Sequence, residues 1–161
     1  LRDLIESKPS GVEWHSPDHT DYLLSLMDPV NTRKVEVAKR ANQLIVGTVY
    51  RRTRPDNRGR RMQRAEVRFD GVAGCLRTPS GGSSRQTLLI VEGENVRSRL
   101  LSPREAARLM GLDDDYILPE RYNDAYHIAG DGLVVPVVSH LAKNILNPII
   151  VANAQGTNKA A

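Results

Sequence analysis

The segment whose residue types point most directly to a ligand is a turn rich in small and hydroxyl side chains: Thr78, Pro79, Ser80, Gly81, Gly82, Ser83, Ser84, Arg85 and Gln86. Small residues let a backbone come close to a partner. Amides and hydroxyls suit phosphate oxygens, and Arg and Gln suit two-pronged contacts with guanine and adenine edges. The same letters also fit an ordinary hairpin loop. A second feature tilts the balance. The stretch Arg51 to Arg64 carries Arg51, Arg52, Arg54, Arg58, Arg60, Arg61 and Arg64 against one aspartate, Asp56. Such a block meets phosphate or another polyanion, or forms a solvated loop. Together with Arg68 and Arg77 these residues make the candidate DNA-contacting set. Within it, the arginine block is expected to touch phosphates at any sequence, and Arg85 to read a base.

No complete catalytic set stands beside them. Cys75 has no base near it in sequence, and a lone cysteine in a strand-like stretch reads as a small buried hydrophobe rather than a nucleophile. His15 and His19 stand four apart, a metal-compatible spacing without a supporting carboxylate-His signature. His127 and His140 stand singly, and Asp113, Asp114 and Asp115 read as a solvated turn. Neither a P-loop nor a dinucleotide fingerprint is present. The expectation is a binding chain with no catalytic residue and no metal site of its own.

These groups need elements to hold them. The chain has 161 residues, 40% of them hydrophobic and 26% charged, enough for one packed core and against global disorder. Seven aromatic residues leave that core largely aliphatic. The longest apolar runs, such as Leu133 to Val138, fall short of the roughly 18 residues of a membrane span, so no membrane partner is expected. One cysteine excludes an intrachain disulfide and fits a cytoplasmic protein. The chain opens on Leu1 without a signal-like segment, which suggests a fragment, a processed product or one piece of a larger enzyme.

Ser16-Pro17 and Asp28-Pro29 each signal a helix start, a capping side chain followed by a residue that needs no amide donor. IVGTVYRRT from Ile45 and TLLIVEG from Thr87 read as strands, the arginine block between them as a loop, and NVRSRLL as a lead into the next helix. RAEVRFDGVAGCLRTPSGG alternates strand-like pieces with turns. Ser102, Pro103 and Glu105 spell a capping box, and Gly111 closes that helix. LVVPVVSHLAKNIL repeats apolar residues at helical spacing, and the tail beyond Ala152 is expected to fray. The fold class expected is mixed α+β. A lead-in of helices spans 1–45, a β-rich region 46–100, helical segments 101–152 and a tail 153–161.

The order of a basic β segment, AGCLRTPSGGSSRQ, LLSPREAARLMGLDDDY and AYHIAGDGLVVPVVSHLAKNI resembles the C-terminal half of bacterial DNA cytosine-5 methyltransferases. SPREAARLMG is similar to the family's ninth motif, AYHIAGDGLVVPVV to its tenth, and RFDGVAGCLRTPSGG sits where the target-recognition segment would. The resemblance implies a small recognition domain that grips duplex DNA while the target cytosine is flipped out of the stack. It implies S-adenosylmethionine as methyl donor and an N-terminal catalytic domain or subunit as partner, against which the C-terminal helix packs. Without that partner the helix is expected to self-associate, to pack on its own domain or to be mobile. The Pro-Cys, Glu-Asn-Val and Gln-x-Arg-x-Arg motifs of the catalytic half are absent from this chain, and Gly74 precedes Cys75 where the nucleophile's motif has Pro. By resemblance Gly130, Asp131 and Gly132 form a loop lining the cofactor pocket, with Asp131 where Asn is usual and Gly132 where Ser or Ala is usual. A carboxylate beside the cofactor's own carboxylate is unfavourable, which leaves backbone contacts. Restriction-modification in the bacterial nucleoid is the implied setting; the alternative is a stand-alone, non-catalytic DNA-binding module.

Overall fold

A computed structural model describes residues 1–56, 58–79 and 85–157, with side chains through 154. Two helices open the fold, α1 (Pro17–Ser25) and α2 (Pro29–Arg40), each started as the sequence signals. The Ser16 hydroxyl accepts the His19 amide at 3.2 Å, and Asp28 Oδ1 accepts the Asn31 amide at 2.8 Å. Both helices carry Pro in the first turn, where no donor is required.

Four antiparallel strands follow: β1 (Leu44–Pro55), β2 (Arg61–Arg68), β3 (Thr87–Glu92) and β4 (Asn95–Leu100), in the spatial order β2-β1-β3-β4. β3 is an unbroken apolar run because both its faces are covered. Leu89 and Val91 join Met27, Val35, Ala38, Val49, Ala65 and Val67 under α1 and α2. Leu88 and Ile90 join Val46, Leu101, Ala106, Met110, Tyr126 and Ala129 on the other face. Gly93 turns β3 into β4 at φ 57°, the left-handed value a two-residue hairpin loop demands.

That second face is roofed by α3 (Pro103–Leu109) and α4 (Tyr122–Asp131). The capping box at Ser102 and Glu105 is present in both directions, and Gly111 leaves α3 at φ 78°. The division expected near residue 100 therefore marks a change of element type, not a change of core.

Two expectations are corrected here. The arginine block is not a loop: Arg51 to Arg54 belong to β1 and Arg61 to Arg68 to β2, with Arg58 and Gly59 in the turn between them. Pairing across the hairpin satisfies the backbone of a run too polar to show apolar alternation. NVRSRL is strand β4 rather than a helix lead-in, because it completes the sheet edge beside β3.

After a break at Gly132–Val134 the chain continues as α5 (Val135–Leu141), a π-helical turn (Ala142–Leu146) and α6 (Asn147–Thr157). Pro148 has no amide to donate and its ring crowds the carbonyl of Asn144, so the wider turn accommodates it. Helix thus runs past Ala152, where fraying was expected. This segment touches the rest of the fold at its start, where the Val135 amide donates to the Met110 carbonyl at 2.9 Å. A Cβ on Gly111 would meet Pro136 Cδ at 2.4 Å. Beyond that, Val137, Val138, Leu141, Ile145, Leu146 and Ile149 are all exposed. The helical stretch Tyr122–Ala154 is long and apolar enough, by length and composition alone, to cross a membrane. That stretch is interrupted at Gly132–Val134, and Pro136 and the polar residues His140, Lys143 and Asn144 divide its apolar letters.

Candidate nucleic-acid interface

Cross-strand partners share a sheet face, so the register of the β1–β2 hairpin sorts its arginines. Thr48 faces Arg68, Tyr50 faces Glu66, Arg52 faces Arg64 and Arg54 faces Met62. These pairs form one face of the arm. The other carries Val49 with Val67, Arg51 with Ala65, Thr53 with Gln63, and Pro55 with Arg61. The inner end of this second face is core, under α2, while Arg51 and everything beyond it on β1 is exposed. The hairpin is a basic arm that leaves the globule with arginines on both sides.

The arginines are not equivalent. Arg68 makes a two-pronged contact with Asp70, holding that carboxyl below the ordinary aspartate range. Arg60 Nε donates to Asp56 Oδ2 at 2.9 Å, while Asp56 also accepts the amides of Arg58 and Arg60 and so knots the turn. Arg52 lies 3.6 Å from Glu66. Among the described residues, Arg51, Arg54, Arg58, Arg61, Arg64 and Arg77 form no ion pair with the chain.

At the base of the arm lies a groove of ≈ 810 Å³. Tyr50, Arg51, Arg52, Arg68, Arg77 and Arg85 line it together with Asp28, Glu66 and Cys75. Residues far apart in sequence, Arg51 and Arg85, thus meet in one concave surface. Cys75 is exposed on its wall, not buried, because the chain from 72 to 78 runs without regular structure and packs through Gly74 instead. A Cβ on Gly74 would fall 2.3 Å from Gln86 Oε1 and 2.6 Å from the Tyr50 ring.

Gln86 was expected to read a base, but it faces inward. It is buried, its Oε1 accepts the Gly74 amide at 3.0 Å, and its Nε2 donates to the carbonyls of Val49 and Thr87. These bonds tie the irregular segment to the sheet and leave its amide no free edge. Arg85 is exposed, yet its guanidinium donates to Asn123 Oδ1 and lies 5.3 Å from the centre of the Tyr122 ring. It is a groove wall held in place. Ser80, Gly81, Gly82, Ser83 and Ser84 lie outside the described residues; Thr78 is half-buried.

The expected cofactor loop takes a different form. Gly130 and Asp131 end α4, and Gly132 is its C-cap. A Cβ on Gly130 would stand 2.6 Å from the Arg77 carbonyl carbon and the Thr78 nitrogen, and one on Gly132 2.6 Å from the Ile128 carbonyl oxygen. Both glycines face the chain itself, and Asp131 is exposed at the negative end of a helix. These three residues do not form a cradle for S-adenosylmethionine by themselves.

Sequence reasoning also missed the polar core at the β4 side of the sheet. Arg99 and Glu105, both fully buried, pair through Nη1–Oε2 at 2.8 Å and Nη2–Oε1 at 2.6 Å. The rings of His15 and His19 meet at 4.2 Å with their planes tilted by 43°, and His15 Nδ1 lies 2.9 Å from Ser98 Oγ. Burial, helped by His19 and Arg51, lowers the His15 pKa.

The family description "C-5 cytosine-specific DNA methylase" matches residues 2–147, which takes in the basic arm, the groove and the helices that roof the sheet. The chain belongs to that family. Among characterised methylases, it is 33% identical over 61 residues to Type II methyltransferase M.SsoII of Shigella sonnei, covering 38% of this chain and 16% of that protein. It is 34% identical over 58 residues to Type II methyltransferase M1.ScrFI of Lactococcus lactis subsp. cremoris, covering 36% of this chain and 15% of that protein. To Type II methyltransferase M.HpaII of Haemophilus parainfluenzae it is 25% identical over 159 residues, 88% of this chain and 44% of that protein. This methylase-family chain thus spans less than half the length of each of these relatives. No solved structure matches it significantly.

Proposed function

We propose that this chain is the target-recognition part of a DNA cytosine-5 methyltransferase, gripping duplex DNA with the arm of β1 and β2 and the groove at its base. The observation that carries the reading is the family match over residues 2–147, coupled to an arm whose outer half presents arginines on both faces. Arg51, Arg54, Arg58, Arg61 and Arg64, free of intramolecular ion pairs among the described residues, contact phosphates, while Arg77 and Arg85 stand in the groove to meet base edges. Arg52, Arg60 and Arg68 shape the arm through Glu66, Asp56 and Asp70.

Methyl transfer from S-adenosylmethionine to carbon 5 of a flipped cytosine belongs to a catalytic partner, domain or subunit, carrying the nucleophilic cysteine. The exposed apolar helices α5 and α6 dock on that partner. The exposed backbone at Asp131 and Gly132 is what this chain offers to the methyl donor's pocket. The Type II naming of the relatives favours a restriction-modification setting, with the protein acting in the cytoplasm at the nucleoid rather than at a membrane.

Duplex binding against salt tests the DNA role. Each of Arg54→Ala and Arg64→Ala should lower the slope of log K on log salt by about 0.9. Arg60→Ala should change it less, since Asp56 already neutralises that guanidinium. Wild-type affinity that does not respond to salt would refute a phosphate-gripping arm.

A further inference from the structure

Helix α4 touches the recognition segment at both of its described ends. At one end Gly130 lies against the Arg77–Thr78 peptide so closely that a Cβ would stand 2.6 Å from two of its atoms. At the other, one turn of the same helix supplies three contacts. Asn123 Oδ1 accepts from the Arg85 guanidinium, the Tyr122 ring underlies that guanidinium, and the Tyr126 hydroxyl accepts the Gln86 amide at 3.2 Å. Arg77 and Arg85 both line the groove. Tyr126 is fully buried between α4 and the sheet, so the helix is rooted in the core and cannot shift without disturbing it.

We propose that α4 is a positioning brace for the DNA groove, with Gly130, Asn123 and Tyr126 setting where Arg77 and Arg85 stand and thereby how sharply the chain discriminates between DNA sequences. This rests on the recognition reading above and assigns Gly130 a role towards DNA rather than towards the methyl donor. The physical case is one of tolerance. A guanidinium paired with a base edge needs its donors within the narrow range of hydrogen-bond distance and angle, whereas a phosphate contact tolerates displacement. A loose brace should therefore cost discrimination before it costs overall affinity. Gly130 admits no side chain because backbone, not a flexible side-chain end, occupies the space. Asn123 is exposed, so its replacement leaves the core intact.

The test selects bound duplexes from a library randomised at its centre, using the full chain as wild type, Gly130→Ala, Asn123→Ala and Asn123→Asp. The expected result is a sequence preference in the wild type that falls about tenfold in Gly130→Ala and Asn123→Ala. Total duplex retained and its salt slope stay unchanged, and Asn123→Asp, which keeps an acceptor for Arg85, recovers the preference. Hydrogen exchange without DNA provides the second arm. The Gln86 amide should exchange faster in Tyr126→Phe, and the 77–78 amides faster in Gly130→Ala, while α3 keeps its protection. Unchanged selection in Gly130→Ala and Asn123→Ala, or parallel loss of preference and total binding, overturns the proposal. A wild type that selects no sequence refutes the recognition reading, whereas unchanged exchange at 77–78 and Gln86 refutes the brace itself.

Discussion

Arg99 on β4 and Glu105 at the first turn of α3 form a doubly hydrogen-bonded ion pair with no exposed surface on either side chain. The carboxylate also accepts the Ser102 and Glu6 amides at 2.8 and 2.7 Å. One glutamate therefore caps a helix, neutralises a buried guanidinium and fastens the N-terminal segment to the sheet. Arg99 further donates to the carbonyls of Leu100 and Glu6, and Trp14 covers it at 5.3 Å. Its Nε has no partner among the described residues.

Removing the guanidinium strands a charge. Arg99→Met is expected to destabilise the fold by about 3–5 kcal/mol, because Glu105 stays buried without its counter-ion. Adding Glu105→Gln should recover part of that loss, since the amide still accepts from Ser102 and carries no charge. Urea midpoints of the wild type, both single variants and the double variant measure the coupling. A cost below about 1 kcal/mol for Arg99→Met would contradict a desolvated pair.

Acid should undo the same junction. Burial pushes the Glu105 carboxyl upward, but the hydrogen bonds from Arg99, Ser102 and Glu6 outweigh it and hold the folded value below the ordinary 4.5. A depressed folded pKa stabilises the fold fully above the unfolded value, and that stabilisation is lost as pH falls through the folded one. Melting temperature should therefore drop as pH descends below about 4.5. The drop should be shallower in Glu105→Gln, which has no such proton to bind. Equal slopes in the two proteins would show that other carboxylates dominate, Asp28 among them, whose hydrogen bonds from Asn31 depress it in the same sense.

The apolar helices α5 and α6 predict association. Val138 and Leu141 are 42% and 44% exposed, and no residue of α5 is buried. A contiguous apolar surface of this length in water favours contact with another such surface. The isolated chain should sediment as a concentration-dependent oligomer, and Val138→Asp with Leu141→Asp should return it to a monomer without lowering its melting temperature. A monomer at all concentrations for the unmodified chain would refute self-association.

Local chemistry was legible in the letters. Ser16-Pro17, Asp28-Pro29 and the Ser102–Glu105 box name their helix starts because the partners of each cap lie within three residues of it. Gly111 marks a helix end because only the left-handed backbone there requires it. The ordered motifs that resemble the methylase family were likewise a property of the chain alone. The arm was not legible: its arginines alternate with nothing apolar, and the strand exists through pairing of Arg51 to Arg54 with Met62 to Ala65. The exposure of Cys75 and the inward setting of Gln86 and Gly130 were not legible for a related reason. Whether a small or polar residue faces solvent or core depends on contacts such as Gly130 to Thr78, Gln86 to Val49 and Arg99 to Glu105. Capping and turn chemistry are short-range and survive in any context, so the sequence determined them. Burial and partnership at the groove depend on which distant segments the sheet brings together, and only the tertiary structure decided them.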